Sequence, residues 1–274
     1  MSVIAKWERE RYNHHEVKTM LLAIDCGNTN IVLGVFEGDK LLASWRLYTD
    51  ATKTGDEYLI LLKELFCTVG LSMNKIEGII IDSVVPGVNV ALGKMAEKYL
   101  SCPPPLFVDY TTPTGLKLLV DNPAELGSDR IVNALAAHHK YGGDLIIVDF
   151  GTATTFDCVS AAGEYLGGAI CPGIEISREA LFVHAAKLSN VVLRRPPKVI
   201  ATNTEDYLRS GILWGYGGQV DALVRRMSAE WGEQPRVIAT GGFAELISGY
   251  SDTIDLVDIS LTLDGLRMIW EKLQ

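Results

Sequence analysis

Two stretches about half a chain apart carry one pattern, and that repeat limits the possible folds more than any other feature. From Leu21 an apolar run arrives at Asp25 and is followed by Cys26, Gly27, Asn28, Thr29 and Asn30. From Leu145 a second apolar run arrives at Asp149 and is followed by Phe150, Gly151, Thr152, Ala153 and Thr154. Each copy continues into strand-like runs joined by a tight turn, at Glu37-Gly38-Asp39 in the first and at Ala162-Gly163-Glu164 in the second. Such turn residues between apolar runs specify hairpins. A unit repeated at this spacing implies two similar domains related by duplication, and 274 residues suffice for two modest cores.

The segments between the repeats read as helices and single strands. In the first half, Asn30 to Phe36 and Lys40 to Leu47 form the hairpin. Thr54 and Glu57 have capping-box spacing, and Tyr58, Leu61, Leu62, Leu65 and Phe66 recur at helical spacing until Gly70. A strand from Gly78 to Asp82, a helix from Pro86 to Tyr99 and a short strand from Leu106 to Asp109 follow, with a domain boundary near Gly115. In the second half Ser128 is expected to cap a helix running to His139. Asn203 to Trp231 reads as mainly helical, Val237 to Thr240 as a strand entering Gly241-Gly242, and Thr262 to Leu273 as a closing helix. The expected organisation is an N-terminal extension at 1–19 and two α/β domains, 20–115 and 116–274. Each has a mixed sheet flanked by helices, and ligands bind in the cleft between the domains.

Composition removes several functional classes. The net charge is −9, with 25 Lys and Arg against 34 Asp and Glu, so no clustered basic surface for nucleic acid is expected. The five cysteines, Cys26, Cys67, Cys102, Cys158 and Cys171, show no metal spacing and read as free thiols in a reducing cytoplasm. No run approaches the roughly 18 apolar residues of a membrane helix. Residues 1–19 are too polar for a signal peptide, Met20 reads as the start of the fold, and His14-His15 reads as part of a solvated tail.

Asp-x-Gly-Asn-Thr admits two readings. Gly27 can make a tight turn with Asn28 and Thr29 bonded to the backbone. Alternatively the glycine lets the backbone approach a nucleotide, amides and the Thr hydroxyl donate to phosphate oxygens, and the aspartate holds a hydrated Mg²⁺. A second copy facing the first favours the phosphate reading, because two such loops can clamp a triphosphate. A Walker A loop is missing, since the run from Gly87 to Met95 has the wrong gap and ends in Met. Gly215-Tyr216-Gly217-Gly218 lacks the last glycine of a dinucleotide fingerprint and reads as close helix packing, and there is no Gly-x-Ser-x-Gly elbow.

The cluster from Asp121 to Arg130 also has two readings. It can be a loop leading to a helix N-terminus, with Ser128 as cap and Asp129 favoured by the dipole. It can equally place Asp129 to accept a proton from an attacking hydroxyl and Arg130 to hold a carboxylate or phosphate in its planar fork. Phosphoryl transfer needs that kind of positioning and charge neutralisation. Thr240-Gly241-Gly242 is either a plain turn or a place where adenosine lies against backbone.

These residues resemble a known family. Asp25-Cys26-Gly27-Asn28-Thr29, Gly127-Ser128-Asp129-Arg130, Asp149-Phe150-Gly151-Thr152-Ala153-Thr154 and the run from Gly167 to Gly173 stand in the order and spacing of type III pantothenate kinases, over essentially Met20 to Gln274. That family belongs with acetate and sugar kinases, heat-shock chaperone ATPases and actin, so the resemblance implies two duplicated ribonuclease-H-like domains. It implies ATP-dependent phosphorylation of the 4′-hydroxyl of pantothenate, the first step toward coenzyme A.

Carried over by motif, Asp25 to Asn30 (with Cys26, Gly27, Asn28 and Thr29) and Thr152 resemble the ATP site, with Asp25 holding Mg²⁺ through water. Asp129 resembles the proton acceptor. Gly127, Ser128, Asp129, Arg130 and Thr204 resemble the pantothenate contacts. Asp149 resembles the ligand of a monovalent cation, K⁺ or NH₄⁺. The resemblance also implies a homodimer whose substrate pocket is completed across the interface, while charge and the lack of a long apolar run argue against a nucleic-acid or membrane partner. Two positions depart from the family: Ser128 stands where alanine is usual, and Val120 where many members carry a tyrosine that touches pantothenate. A phosphotransferase for another small hydroxyl compound and an idle nucleotide-binding regulator are the alternatives. The presence of both Asp129 and Asp149 argues against the idle form.

Overall fold

A computed structural model of the chain describes residues 19–184 and 191–274. The expected extension and the His14-His15 pair therefore lie outside the described residues, apart from Thr19. The first repeat folds as β1 (Met20–Cys26), β2 (Asn30–Glu37) and β3 (Lys40–Tyr48), antiparallel neighbours in a row. The β2–β3 turn is possible because Gly38 takes φ 58°, a left-handed conformation that favours glycine. Helix α1 (Gly55–Thr68) carries the complete capping box: Thr54 accepts from the Glu57 amide while Glu57 accepts from the Thr54 amide. Strand β4 (Ile76–Ser83) then pairs parallel with β1, and after α2 (Pro86–Tyr99) comes the two-residue β5 (Leu106–Phe107), shorter than the expected strand. The order in this sheet is β3-β2-β1-β4-β5.

The second sheet repeats the plan. Its strands are β6 (Lys117–Leu118), β7 (Leu145–Phe150), β8 (Ala153–Val159), β9 (Glu164–Pro172), β10 (Arg236–Gly241) and β11 (Leu256–Val257), in the order β11-β10-β7-β8-β9-β6. In both sheets the strand that ends at the repeated aspartate has an antiparallel hairpin strand on one side and a parallel strand on the other. The helices are α3 (Ser128–Tyr141), α4 (Ile174–His184), α5 (Thr204–Trp231), α6 (Ala244–Ser248) and α7 (Leu261–Lys272). Gly217 within α5 packs against the Tyr250 backbone, as expected for a close helix contact.

Four apolar clusters hold these layers together. One lies between the first sheet and α1 and α2, through Leu22, Ile24, Leu62, Phe66 and Leu92. Another lies between the second sheet and α5 and α6, through Val148, Phe156, Leu213 and Ile247. The opposite faces of both sheets are covered by α3 and α7. Val132, Leu135, Leu263 and Leu266 pack against Ala23 and Ile80 of the first sheet, while Ala134, Ala137 and Leu261 pack against Ile147 and Ile238 of the second. Burying such side chains contributes roughly 1.5–3 kcal/mol each. These two helices therefore fix how the sheets face each other, and with them the strand ends that carry Asp25 and Asp149.

One local expectation is corrected. Ser128 does not cap α3: Gly127 is the N-cap and no side chain caps there. The Ser128 hydroxyl donates instead to Oδ1 of Asp82, at the end of β4. With the helix starting one residue earlier than expected, Ser128 sits inside its first turn and not at the cap, and its hydroxyl is free to donate to the carboxylate on β4.

Candidate active site

The two repeated turns open onto one cleft of about 610 Å³. From the first half Asp25, Gly27, Asn28, Thr29 and Asn30 line it, and from the second Asp129, Asp149 and Thr152. The turns touch across the cleft, with the Thr29 and Thr152 hydroxyls 3.1 Å apart. Each is held from behind. The Gly27 amide donates to Asn30 O at 2.9 Å, closing the first turn, and Thr49 Oγ1 donates to Gly27 O at 2.7 Å. Asp149 Oδ2 accepts from Asn133 Nδ2 at 3.0 Å, and Asn133 Oδ1 in turn accepts from Thr262 Oγ1 at 2.8 Å. Gly241, at φ 89°, lies against the other Asp149 oxygen, so the strand-end turn Thr240-Gly241-Gly242 forms part of the cleft wall.

Carboxylates dominate the electrostatics. Burial holds Asp25 well above the usual carboxylate range, and the charges of Asp82, Asp149 and Asp129 add to it, while Arg46 partly offsets them. Asp149 is pushed up to about 7 by burial and by Asp129 and Asp157, against the Asn133 bond and Arg46. Asp82 is likewise pushed up to about 7, by burial and then by Asp129. Asp129 is raised mainly by burial, opposed by the Arg130 amide, which donates to its Oδ1 at 2.8 Å. Like charges gathered out of water favour their neutral forms unless a cation joins them.

The remaining sequence-derived residues are not among those that line the cleft. Cys26 is buried at the end of β1, and burial pushes its thiol up to about 11. Gly127 and Ser128 form the start of α3. Arg130 Nε donates to Asp157 at 2.7 Å and its Nη2 to Phe156 O at 3.2 Å, with Tyr165 completing the Asp157 environment. Thr204 is exposed at the first turn of α5, after Asn203 caps that helix through the Asp206 amide. Val120 packs against the apolar cluster around Tyr165.

Sequence reasoning missed Arg46, Asp82 and the Asn133–Thr262 relay. Asp82 had a cue, since it is a third aspartate at the end of an apolar strand, but no glycine turn follows it. Arg46 and Asn133 had none, lying inside a regular strand and a regular helix.

Two mixed sheets flanked by helices, each with the same strand-turn-hairpin, and carboxylates where the two turns meet define a ribonuclease-H-like fold with an acidic cleft. The same fold is found in the ROK hexokinase of Thermus thermophilus, with a TM-score of 0.50 and 13% identity over 93% of this chain and 100% of that one. It is also found in the ethanolamine utilization protein EutJ of Carboxydothermus hydrogenoformans, with a TM-score of 0.52 and 13% identity over 90% and 89% of the two chains. The sequence is more specific. A family model described as type III pantothenate kinase matches residues 21–226, and the chain belongs to that family. Its relatives include the type III pantothenate kinases of Roseiflexus castenholzii, 53% identical over 92% of this chain and 98% of the relative, and of Geobacter sulfurreducens, 52% identical over 92% and 99%.

Proposed function

We infer that this chain carries the activity of its family, the ATP-dependent phosphorylation of pantothenate in coenzyme A biosynthesis, acting on the 4′-hydroxyl in the cleft between the two turns. The observation that carries this reading is the meeting of Thr29 and Thr152 over a space lined by Asp25, Asp129 and Asp149. Amides and hydroxyls of the turns hold the phosphate tail from both sides. Asp129 takes the proton of the attacking hydroxyl. Its Oδ1 is held by the Arg130 amide, which leaves Oδ2 for the substrate, and burial raises its proton affinity. As that proton leaves, the alcohol oxygen forms its bond to the terminal phosphorus in line with the bridging oxygen, whose bond to that phosphorus breaks to release ADP, and positioning with charge stabilisation accounts for most of the rate.

The carboxylates suit the cations that the family implies. Among the described residues no group of three or more His, Cys, Asp or Glu side chains is arranged to hold a metal ion. Asp25 and Asp149 stand on opposite sides of the cleft as separate carboxylates, and phosphates and water would supply the remaining ligands, the usual arrangement for Mg²⁺. Asp25 would hold Mg²⁺ through water. Asp149, oriented by Asn133, would hold K⁺ or NH₄⁺. Cations held at these two carboxylates would offset the triphosphate charge.

A homodimer belongs to the same reading. Leu181 on α4 and Tyr207 on α5 are exposed and line a groove of about 380 Å³, an apolar face of the kind that subunits cover. Thr204 heads α5 outside its own cleft, so it would reach pantothenate only across such an interface. A cytoplasmic location fits the five free cysteines, and among the described residues no helix is long and apolar enough to cross a membrane.

A coupled ADP-release assay with Mg-ATP and K⁺ tests the reading. Pantothenate is expected to support turnover while acetate, glycerol and hexoses do not, and replacing K⁺ by Na⁺ is expected to lower the rate. Asp129→Asn should lose roughly 10³-fold in kcat, the scale of a missing general base. Turnover of a hexose at the pantothenate rate would overturn the substrate, and full activity of the variant would overturn the base.

A further inference from the structure

Arg46 stands in the cleft with a charge that offsets the carboxylates only in part and that no step of the reaction above uses. It lies on β3 in one cross-strand row with the phosphate turn: Asp25 is in register with Val32 on β2, and Val32 with Arg46. Residues in register project from the same face of a sheet, and all three line the cleft. The side chain also reaches the other half. A Cβ at Gly242 would come within 2.8 Å of Arg46 Nη1, so the guanidinium lies over the Thr240-Gly241-Gly242 turn, and glycine there leaves it room.

The charges around Arg46 are unusual. Asp25, Asp129, Asp149 and Glu175 line the same cleft, yet among the described residues Arg46 has no hydrogen-bond or ion-pair partner. Among the described residues it is also the one cationic side chain in the lining. A triphosphate brought against those carboxylates needs fixed positive charge, and the planar fork of arginine matches phosphate oxygens in two parallel bonds. A solvated surface arginine would leave nucleotide binding unchanged.

We propose that Arg46 is a nucleotide-binding residue that grips the phosphate tail of the nucleoside triphosphate from the edge of the first sheet while resting on the Gly242 turn of the second. This rests on the kinase reading above, and it adds a protein cation to a site otherwise supplied with acids. It also makes the grip depend on both halves, because the arginine belongs to one and its resting surface to the other.

Calorimetric binding of Mg-AMP-PNP, ADP and adenosine to the full chain, for the unaltered protein, Arg46→Met and Arg46→Lys, tests it. Arg46 is exposed, and unchanged melting of both variants would establish that they fold. Arg46→Met is expected to weaken AMP-PNP and ADP roughly tenfold or more, with adenosine held within about twofold, and Arg46→Lys to recover part of the loss. Equal AMP-PNP binding by Arg46→Met and the unaltered protein would overturn the inference alone, as would an equal loss for adenosine. Failure of the unaltered protein to bind AMP-PNP would overturn the kinase reading and this inference with it.

Discussion

Asp82 is 1% exposed, and its Oδ2 has no hydrogen-bond partner. It is in register with Asp25 on the neighbouring parallel strand, and its other oxygen accepts from Ser128, the residue before the proposed base. Burial and the Asp129 charge push it up to about 7, above its value near 4 in an unfolded chain. The folded state therefore holds this proton more tightly, and the group costs stability progressively as pH rises from about 4 to about 7. Asp82→Asn keeps an oxygen for the Ser128 bond and removes the charge. In a metal-free buffer the variant is expected to be more stable than the unaltered protein by roughly 2 kcal/mol at pH 8 and by little at pH 4. Thermal melts at the two pH values check this, and a variant less stable at pH 8 would mean that Asp82 acts only as a structural acceptor. The same residue marks a limit of sequence reading. Asp25 and Asp149 were recognisable because a glycine turn follows each, whereas the role of Asp82 arises from a strand neighbour and from a helix 46 positions away.

Elements whose signals are local were legible. The hairpin at Gly38, the Thr54–Glu57 capping box and Pro86 in the first turn of α2 each specify their structure within a few residues, and each formed at the expected place. What α3 and α7 do was not legible, because their apolar faces say that they are buried without saying against which sheet. Their mutual fixation includes a polar clasp. Lys140 on α3 donates at 2.6 Å to both Asp258 and Asp264, and Tyr141 donates to Asp258 at 2.7 Å. Burial pushes the Asp258 carboxyl up, but the bonds from Lys140 and Tyr141 outweigh it and hold the group below the usual carboxylate range. A depressed carboxylate contributes stability above its unfolded value near 4 and loses it as pH falls through the folded value. Lys140→Met is expected to cost about 2 kcal/mol at pH 7, with the gap from the unaltered protein narrowing as pH falls below about 4. Melting curves at pH 7 and pH 3 compare the two, and a gap of constant size would exclude the clasp as the source of acid sensitivity.

At the scale of the molecule, duplication explains both the shape and the chemistry. Two copies of strand, aspartate, glycine turn and hairpin bring matching ends together, and α3 and α7 pack on both sheets to hold those ends face to face. The repeat was visible in the sequence, as was the expectation that the cleft lies between the copies. The contact of Thr29 with Thr152 required the fold, since it joins residues 123 positions apart. The central claim is that both turns hold the nucleotide together. Hydrogen–deuterium exchange with and without Mg-AMP-PNP and K⁺ measures this directly, read in peptides covering residues 27–30 and 150–153. The account predicts slowed exchange in both peptides at once, with α1 unchanged. Protection of one turn while the other exchanges as fast as in the free protein would contradict it.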